Sequence, residues 1–238
     1  DYVILSHAHI DHIGLLPKLV KEGFEGKIYC TKATKELAKL LLKDSANIQA
    51  SDVKYVNKIK AEKGHAPIKP LYTIDDVWET HERFEVVNYD EWFKIDDQVE
   101  LMYTEMGHII GSAAVNLRIK ENGKLTRLTF SGDVGRYGDP ILQSPKPFPQ
   151  ADVIILESTY GDRMHPVTFS APDLLLAHIE ETCLKKKGKL IIPSFSVGRT
   201  QELLFALNQL ATENRLPDLL YIVDSPMSVE ATKMIKKF

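Results

Sequence analysis

Ser6-His7-Ala8-His9-Ile10-Asp11-His12 is the stretch on which the reading of this chain turns. Three imidazoles and a carboxylate crowd into it, a spacing that lets one short loop offer several ligands to the same point in space. Imidazole nitrogen suits zinc and related ions, and a carboxylate beside it adds an oxygen ligand and balances charge. The flanks agree with such a loop. Residues 2–5 (Tyr-Val-Ile-Leu) read as a short buried strand, and residues 13–20 as the amphipathic helix that follows. The ligands are therefore expected at a strand-to-helix turn, where layered α/β proteins place their chemistry. A His-rich surface turn satisfied by water is the structural alternative. With only eight His in the chain, it accounts poorly for three of them falling here.

Two later segments belong with the first. Gly107-His108-Ile109-Ile110-Gly111-Ser112 and Phe130-Ser131-Gly132-Asp133-Val134-Gly135-Arg136 border two expected strands, residues 112–120 and 125–131. Between those strands stands Asn122-Gly123, a pair suited to tight hairpin turns, so His108 and Asp133 should meet at one end of the hairpin. The His-x-His-x-Asp-His run resembles the signature of the metallo-β-lactamase superfamily. The two later segments resemble those that supply that family's next His ligand and its bridging Asp. The resemblance implies His7, His9 and His108 on one metal, Asp11 and His12 on a second, and Asp133 between them, with Asp11 also catalytic. The implied cofactor is two divalent metal ions, zinc first, with manganese or iron also compatible with a mixed His and carboxylate set. Ions about 3.5–4 Å apart can share a water and lower its pKa toward roughly 7.

Leu156-Glu157-Ser158-Thr159-Tyr160-Gly161-Asp162-Arg163 follows an apolar strand expected over residues 152–156. It looks like motif A of the β-CASP nucleases, a group within the same superfamily. The resemblance makes Glu157 a catalytic carboxylate that orients a leaving-group acid; the plainer reading makes it a polar stop to a buried strand. Glu followed by Ser-Thr-Tyr-Gly is more similar to the RNA-processing members than to the DNA-repair members. Residues 189–194 read as a further buried strand and residues 195–202 as the opening of a helix running to about 211. A helix N-terminus carrying small residues and an Arg can cradle a phosphate, and can equally be good capping. Ser196 and Arg199 are the candidate RNA phosphate contacts. Residues 219–224 repeat the strand-to-helix pattern without chemistry.

The net charge of −3 excludes a general nucleic-acid footprint, so any basic surface has to be local. Lys54, Lys58, Lys60, Lys63 and the run at 185–187 are candidates, although each reads first as a solvated helix face or end. Cys30 and Cys183 form no pairing motif, which fits a reducing compartment. No leader or membrane-length apolar run is visible, and the cytoplasm is the default location. Thr31 should cap a helix reaching residue 44, and residues 45–87 read as a polar helical excursion. His65 and His81 within it, and His178 further on, read as surface or structural residues, while His165 reads as a hinge or a group near the cleft.

The expected fold class is α/β. Residues 1–168 form a metallo-β-lactamase αββα sandwich lacking its N-terminal part, and residues 169–238 begin an α/β β-CASP domain. The change is expected near residues 164–172, where Pro166 and Pro172 interrupt the pattern. The chain reads as a segment of a longer protein, with the family's motifs B and C outside it. The expected function is metal-dependent phosphodiester hydrolysis of RNA, as an endonuclease, a 5′-exonuclease or both. A thioesterase- or lactonase-type hydrolase on the same fold and a non-catalytic subunit of an RNA-processing complex are the alternatives. Single-stranded RNA is the expected partner, with DNA second and no membrane. A homo-oligomer or a processing complex is the form of assembly left open.

Overall fold

A computed structural model describes residues 1–163 and 171–238. They fall into two compact units, one of residues 1–138 and 142–157 with Phe238, the other of residues 139–141 and 158–237. The expected domain boundary at 168/169 and His165 lie outside the described residues.

The first unit opens with strand β1 (Val3–Ile4), helices α1 (Ile10–Ile13) and α2 (Leu16–Lys21), and strand β2 (Ile28–Cys30). Helices α3 (Lys32–Glu62) and α4 (Ile74–Glu82) then lead to β3 (Phe84–Val86). The three strands pair in parallel in the order β1-β2-β3, and the intervening helices make the crossovers that parallel pairing requires. Strands β4 (Phe93–Lys94), β5 (Val99–Glu105), β6 (Ala113–Glu121), β7 (Lys124–Phe130) and β8 (Val153–Ile155) form the second sheet in that order. It is antiparallel until β8, which runs parallel to β7. Tyr29 and Val87 from the first sheet and its margin pack with Leu101, Tyr103, Ala113 and Val115 from the second, so the core lies between two sheets. Helices α2, α3 and α4 pack together beside the first sheet.

The expected hairpin forms with Asn122 and Gly123 both at positive φ, 49° and 78°, the backbone of a two-residue turn whose twist matches its strands. The helix expected over residues 13–20 is instead two. Helix α1 already begins at Ile10, and α2 restarts at Leu16, with Pro17 in its first turn where a missing N–H costs nothing. Thr31 caps α3 as expected, accepting the Thr34 N–H, but the helix runs to Glu62 rather than residue 44. No Gly or Pro stands between Lys27 and Lys63 to stop it. Its buried positions end at Ala46, which leaves the second half a solvated helix. Asn57 bonds both the N–H and the carbonyl of Ile68, and Gln49 accepts the Leu71 N–H, so the returning chain is pinned along that half. Strand β3 was not expected within this polar stretch.

The second unit contains α5 (Ala171–Ile179), continued by π-helical turns over Glu180–Lys185, then α6 (Arg199–Thr212) and α7 (Pro226–Ile235). Leu175, Ile179 and Ala206 form its core with Leu190, Leu203 and Leu207. The strands expected over residues 189–194 and 219–224 do not form. Among the described residues those segments pair with no other strand, with Ile191 84% and Leu220 86% exposed. Apolar character specifies burial, whereas a strand also needs a neighbour for its backbone groups. The apolar strand expected over residues 152–156 does form as β8, at the edge of the sheet and exposed rather than buried. Among the described residues, no helix is long and apolar enough to cross a membrane.

The Thr31 and Thr34 hydroxyls lie 2.7 and 2.8 Å from the Gly111 carbonyl, tying the start of α3 to the loop that carries His108. Replacing Thr31 by Ala removes a helix cap and one of these bonds, and should destabilise the fold by about 1–2 kcal/mol. Denaturant midpoints of the two proteins measure it, and equal midpoints would refute the tie.

Candidate metal centre

Three loop segments converge at one end of the sandwich. The first leaves β1 with its backbone already held: the Leu5 N–H donates to the Tyr29 carbonyl, and the Ser6 carbonyl accepts the Ala113 N–H. His7 follows, fully buried, with the Ser6 hydroxyl 3.1 Å from its Nδ1. That contact occupies one ring nitrogen and turns Nε2 inward. His9 occupies the cap position of α1 in an extended conformation and presents Nδ1. From the β5–β6 connection comes His108, whose own N–H is held by the Ser112 hydroxyl. After β7, Gly132 at φ 58° lets the chain turn against Ser6, where a Cβ would stand 2.7 Å from the Ser6 Cβ, and Asp133 follows.

His9 Nδ1 lies 3.1 Å from both His7 Nε2 and His108 Nε2. Asp133 Oδ2 is 3.2 Å from His108 Nε2 and 3.8 Å from His7 Nε2. All four donor atoms fall within 4.8 Å of one another. Hydrogen bonding alone serves this packing badly, since a neutral imidazole has one N–H and Ser6 already engages one nitrogen of His7. Donors about 2.0–2.1 Å from a tetrahedral ion stand about 3.3 Å apart, so the set fits a zinc-like cation. Burial, the largest cause, lowers the pKa of all three imidazoles. His7 is pushed down to about 2, with His12, His9 and His108 adding to the effect. His9 is lowered further by His108, whereas for His108 the Asp133 charge opposes the shift. Neutral rings keep the lone pairs that a metal requires.

Asp11 and His12 lie beside this group rather than in it. His12 Nε2 is 3.6 Å from Asp11 Oδ2, the His12 ring centroid is 4.0 Å from that of His7, and the Asp11 side chain is 76% exposed. Glu157 reaches the site from the end of β8, where its Oε1 accepts the Val134 N–H at 3.0 Å, the amide directly after Asp133. Its own N–H donates to Ser131 Oγ. In the second unit, Ser196 Oγ meets Ser225 Oγ at 3.1 Å, and Arg199 at the start of α6 donates to Glu202 at 2.7 Å. Sequence reasoning passed over Ser6, Glu105 and Ser112, polar residues one to four positions from a ligand that hold the ligand or its neighbouring backbone. It also passed over Gln201, which is buried and whose amide bonds Ser196, Gly198 and Thr232.

The Gly135 N–H donates to the Met106 carbonyl, and a Cβ at Gly135 would sit 1.9 Å from the Gly107 carbonyl oxygen. That oxygen is backbone and cannot yield, so Gly135→Ala should push the His108 and Asp133 loops apart and weaken metal binding about ten-fold or more. Competition with a chromophoric chelator reads the affinity. A second expectation concerns metal-free protein. Its imidazoles titrate below their unfolded value of roughly 6.5, so the unfolded chain takes up protons first and stability falls as pH drops below that value. Melting temperatures from pH 7.5 to 4.5 should fall less steeply for His9→Asn than for the parent; parallel curves would contradict this.

Comparison with known proteins agrees with the site. The family described as the metallo-beta-lactamase superfamily matches residues 1–193. Ribonuclease TTHA0252 of Thermus thermophilus is 34% identical over 229 residues, which make up 96% of this chain and 47% of that protein. Transcription termination factor FttA of Methanocaldococcus jannaschii is 34% identical over 212 residues, covering 88% of the chain and 31% of the factor. An RNase J-like protein of the same organism is 29% identical across the whole chain and half of its own length. The chain thus spans half or less of the length of these relatives. Divalent metal ions are the cofactors that such a family implies. From the ligand geometry and the family match together, the chain belongs to the metallo-β-lactamase superfamily.

Proposed function

We propose that the protein to which this chain belongs is a metal-dependent phosphodiester hydrolase that cleaves single-stranded RNA, as an endonuclease, a 5′-exonuclease or both. The observation that carries this is the convergence of His7, His9, His108 and Asp133 donor atoms within 4.8 Å. Relatives named ribonuclease and RNase J-like support RNA as the substrate class. In this reading His7, His9 and His108 would hold one ion, Asp11 and His12 would hold a second, and Asp133 would serve both. When bound, two such ions, zinc first, supply Lewis acidity toward a phosphodiester and a more acidic water at neutral pH.

The chain's own residues have separate tasks. Ser6 engages His7 Nδ1 and leaves Nε2 for the ion, and Asp11 is the candidate proton acceptor. Glu157 steadies the backbone after Asp133 and, as the motif A carboxylate, orients the acid that protonates the leaving oxygen. Ser196 and Arg199 contact phosphates of the RNA strand. Residues 1–168 provide the hydrolytic domain and residues 169–238 the start of the β-CASP domain. Two free thiols suit a cytoplasmic setting.

Elemental analysis of the full-length protein should find two divalent ions per chain, and Asp133→Ala should lose at least one. Labelled single-stranded RNA should be cleaved by the parent, not detectably by His9→Ala, and about 10²-fold more slowly by Glu157→Gln, which keeps shape but not charge. Turnover of thioesters or lactones with RNA left intact would overturn the proposal.

A further inference from the structure

The β5–β6 loop that carries His108 is held almost entirely through its backbone. Gly111 offers its carbonyl to Thr31 and Thr34, and Ser112 receives the His108 N–H. The Ser112 carbonyl accepts the Met106 N–H and the Tyr89 hydroxyl, while the Met106 carbonyl accepts the Gly135 N–H. Gly107 is the hinge of this loop. Its φ is 61°, and a Cβ there would stand 2.1 Å from the Gln143 carbonyl oxygen, so neither another residue nor another backbone path fits easily. The amide of Gly107 immediately precedes His108, and its partner is a side chain rather than the backbone: Oε1 of Glu105, at 2.8 Å.

Glu105 is the last residue of β5 and only partly exposed. Burial pushes its carboxyl above the usual carboxylate range, against the Gly107 N–H bond and the Lys146 charge that favour the charged form. A half-buried polar side chain at the end of a strand, committed to one loop amide, is costly to desolvate. Its position on the amide next to a metal-ligand candidate gives that commitment a purpose. Glu157 makes the matching contact on the far side, to the amide that follows Asp133.

We propose that Glu105 is a positioning residue for the metal centre: by gripping the Gly107 amide it fixes the path into His108 and so the placement of His108 Nε2 opposite His9 and Asp133. This rests on the reading of His108 as a ligand. Groups that orient a ligand from behind typically carry 10- to 100-fold in metal affinity. The effect should depend on hydrogen-bond acceptance more than on charge, because Gln offers the same oxygen.

The test uses the full-length protein loaded with Co²⁺, whose visible absorption reports ligand geometry, alongside Zn²⁺ affinity measured by chelator competition. Glu105→Ala should weaken metal binding about ten-fold or more and alter the Co²⁺ spectrum, and Glu105→Gln should restore most of both. Melting of the metal-free forms separates positioning from folding, since the two variants should differ far more in affinity than in stability. Unchanged affinity and spectrum in Glu105→Ala, or a loss equal in Ala and Gln, overturns the inference. If the parent protein binds no metal, it is the metal-centre reading that fails, an outcome distinct from parent-like binding in the variants.

Discussion

Three ring nitrogens and a carboxylate oxygen held within 4.8 Å of one another impose the condition that the rest of the first unit has to meet. Brought this close, neutral imidazoles present lone pairs to each other and have too few N–H groups to compensate. Charging them is no remedy, because burial and mutual repulsion press their pKa values down. What relieves the arrangement is a cation at its centre. Until one arrives, the backbone must keep the four donors together, and the loops are built to do so. Gly107, Gly111 and Gly132 take left-handed conformations where neighbouring chain leaves no room for a Cβ. Serine and threonine hydroxyls and the Glu105 and Glu157 carboxylates occupy the loop N–H and C=O groups that no sheet partner can reach.

The same condition orders the fold around it. Parallel strands in the first sheet require helical crossovers, and the first of these begins within the His run itself, at Ile10. Having the helix start there sets His7 and His9 ahead of it on extended chain, where alternate residues can point to one place. It also puts Asp11 and His12 on the first turn, which carries their side chains to a neighbouring position. The hairpin of β6 and β7 then brings His108 and Asp133 to the same end.

Much of this is legible in residue order because its signals are local. The His run is contiguous, Asn122-Gly123 dictates its own turn, and Thr31 announces a cap. Other features depended on partners that no short pattern names. Residues 189–194 and 219–224 have the composition of buried strands, yet pairing is decided by a neighbour, and the second unit gives them none. Helix α3 outruns its expected end because polar residues sustain a helix and no Gly or Pro interrupts it. Glu105 escaped notice because its contact is to backbone, and a peptide N–H leaves no mark in a sequence.

Helix α3 is about 46 Å long at the rise of an α-helix, and its two halves live under different conditions. Up to Ala46 it is anchored by Leu37, Ala38 and Leu42 in the core, and beyond that by little more than Asn57, Gln49 and the returning chain. Amide protons along one continuous helix should therefore exchange with solvent at graded rates, slow near Thr34 and Leu42 and fast past Asp52. The slow end is the one bonded to the Gly111 carbonyl. Opening of the far end can thus proceed without disturbing the loop that carries His108, so a long helix serves here as a mechanical buffer between a frayed periphery and a rigid centre.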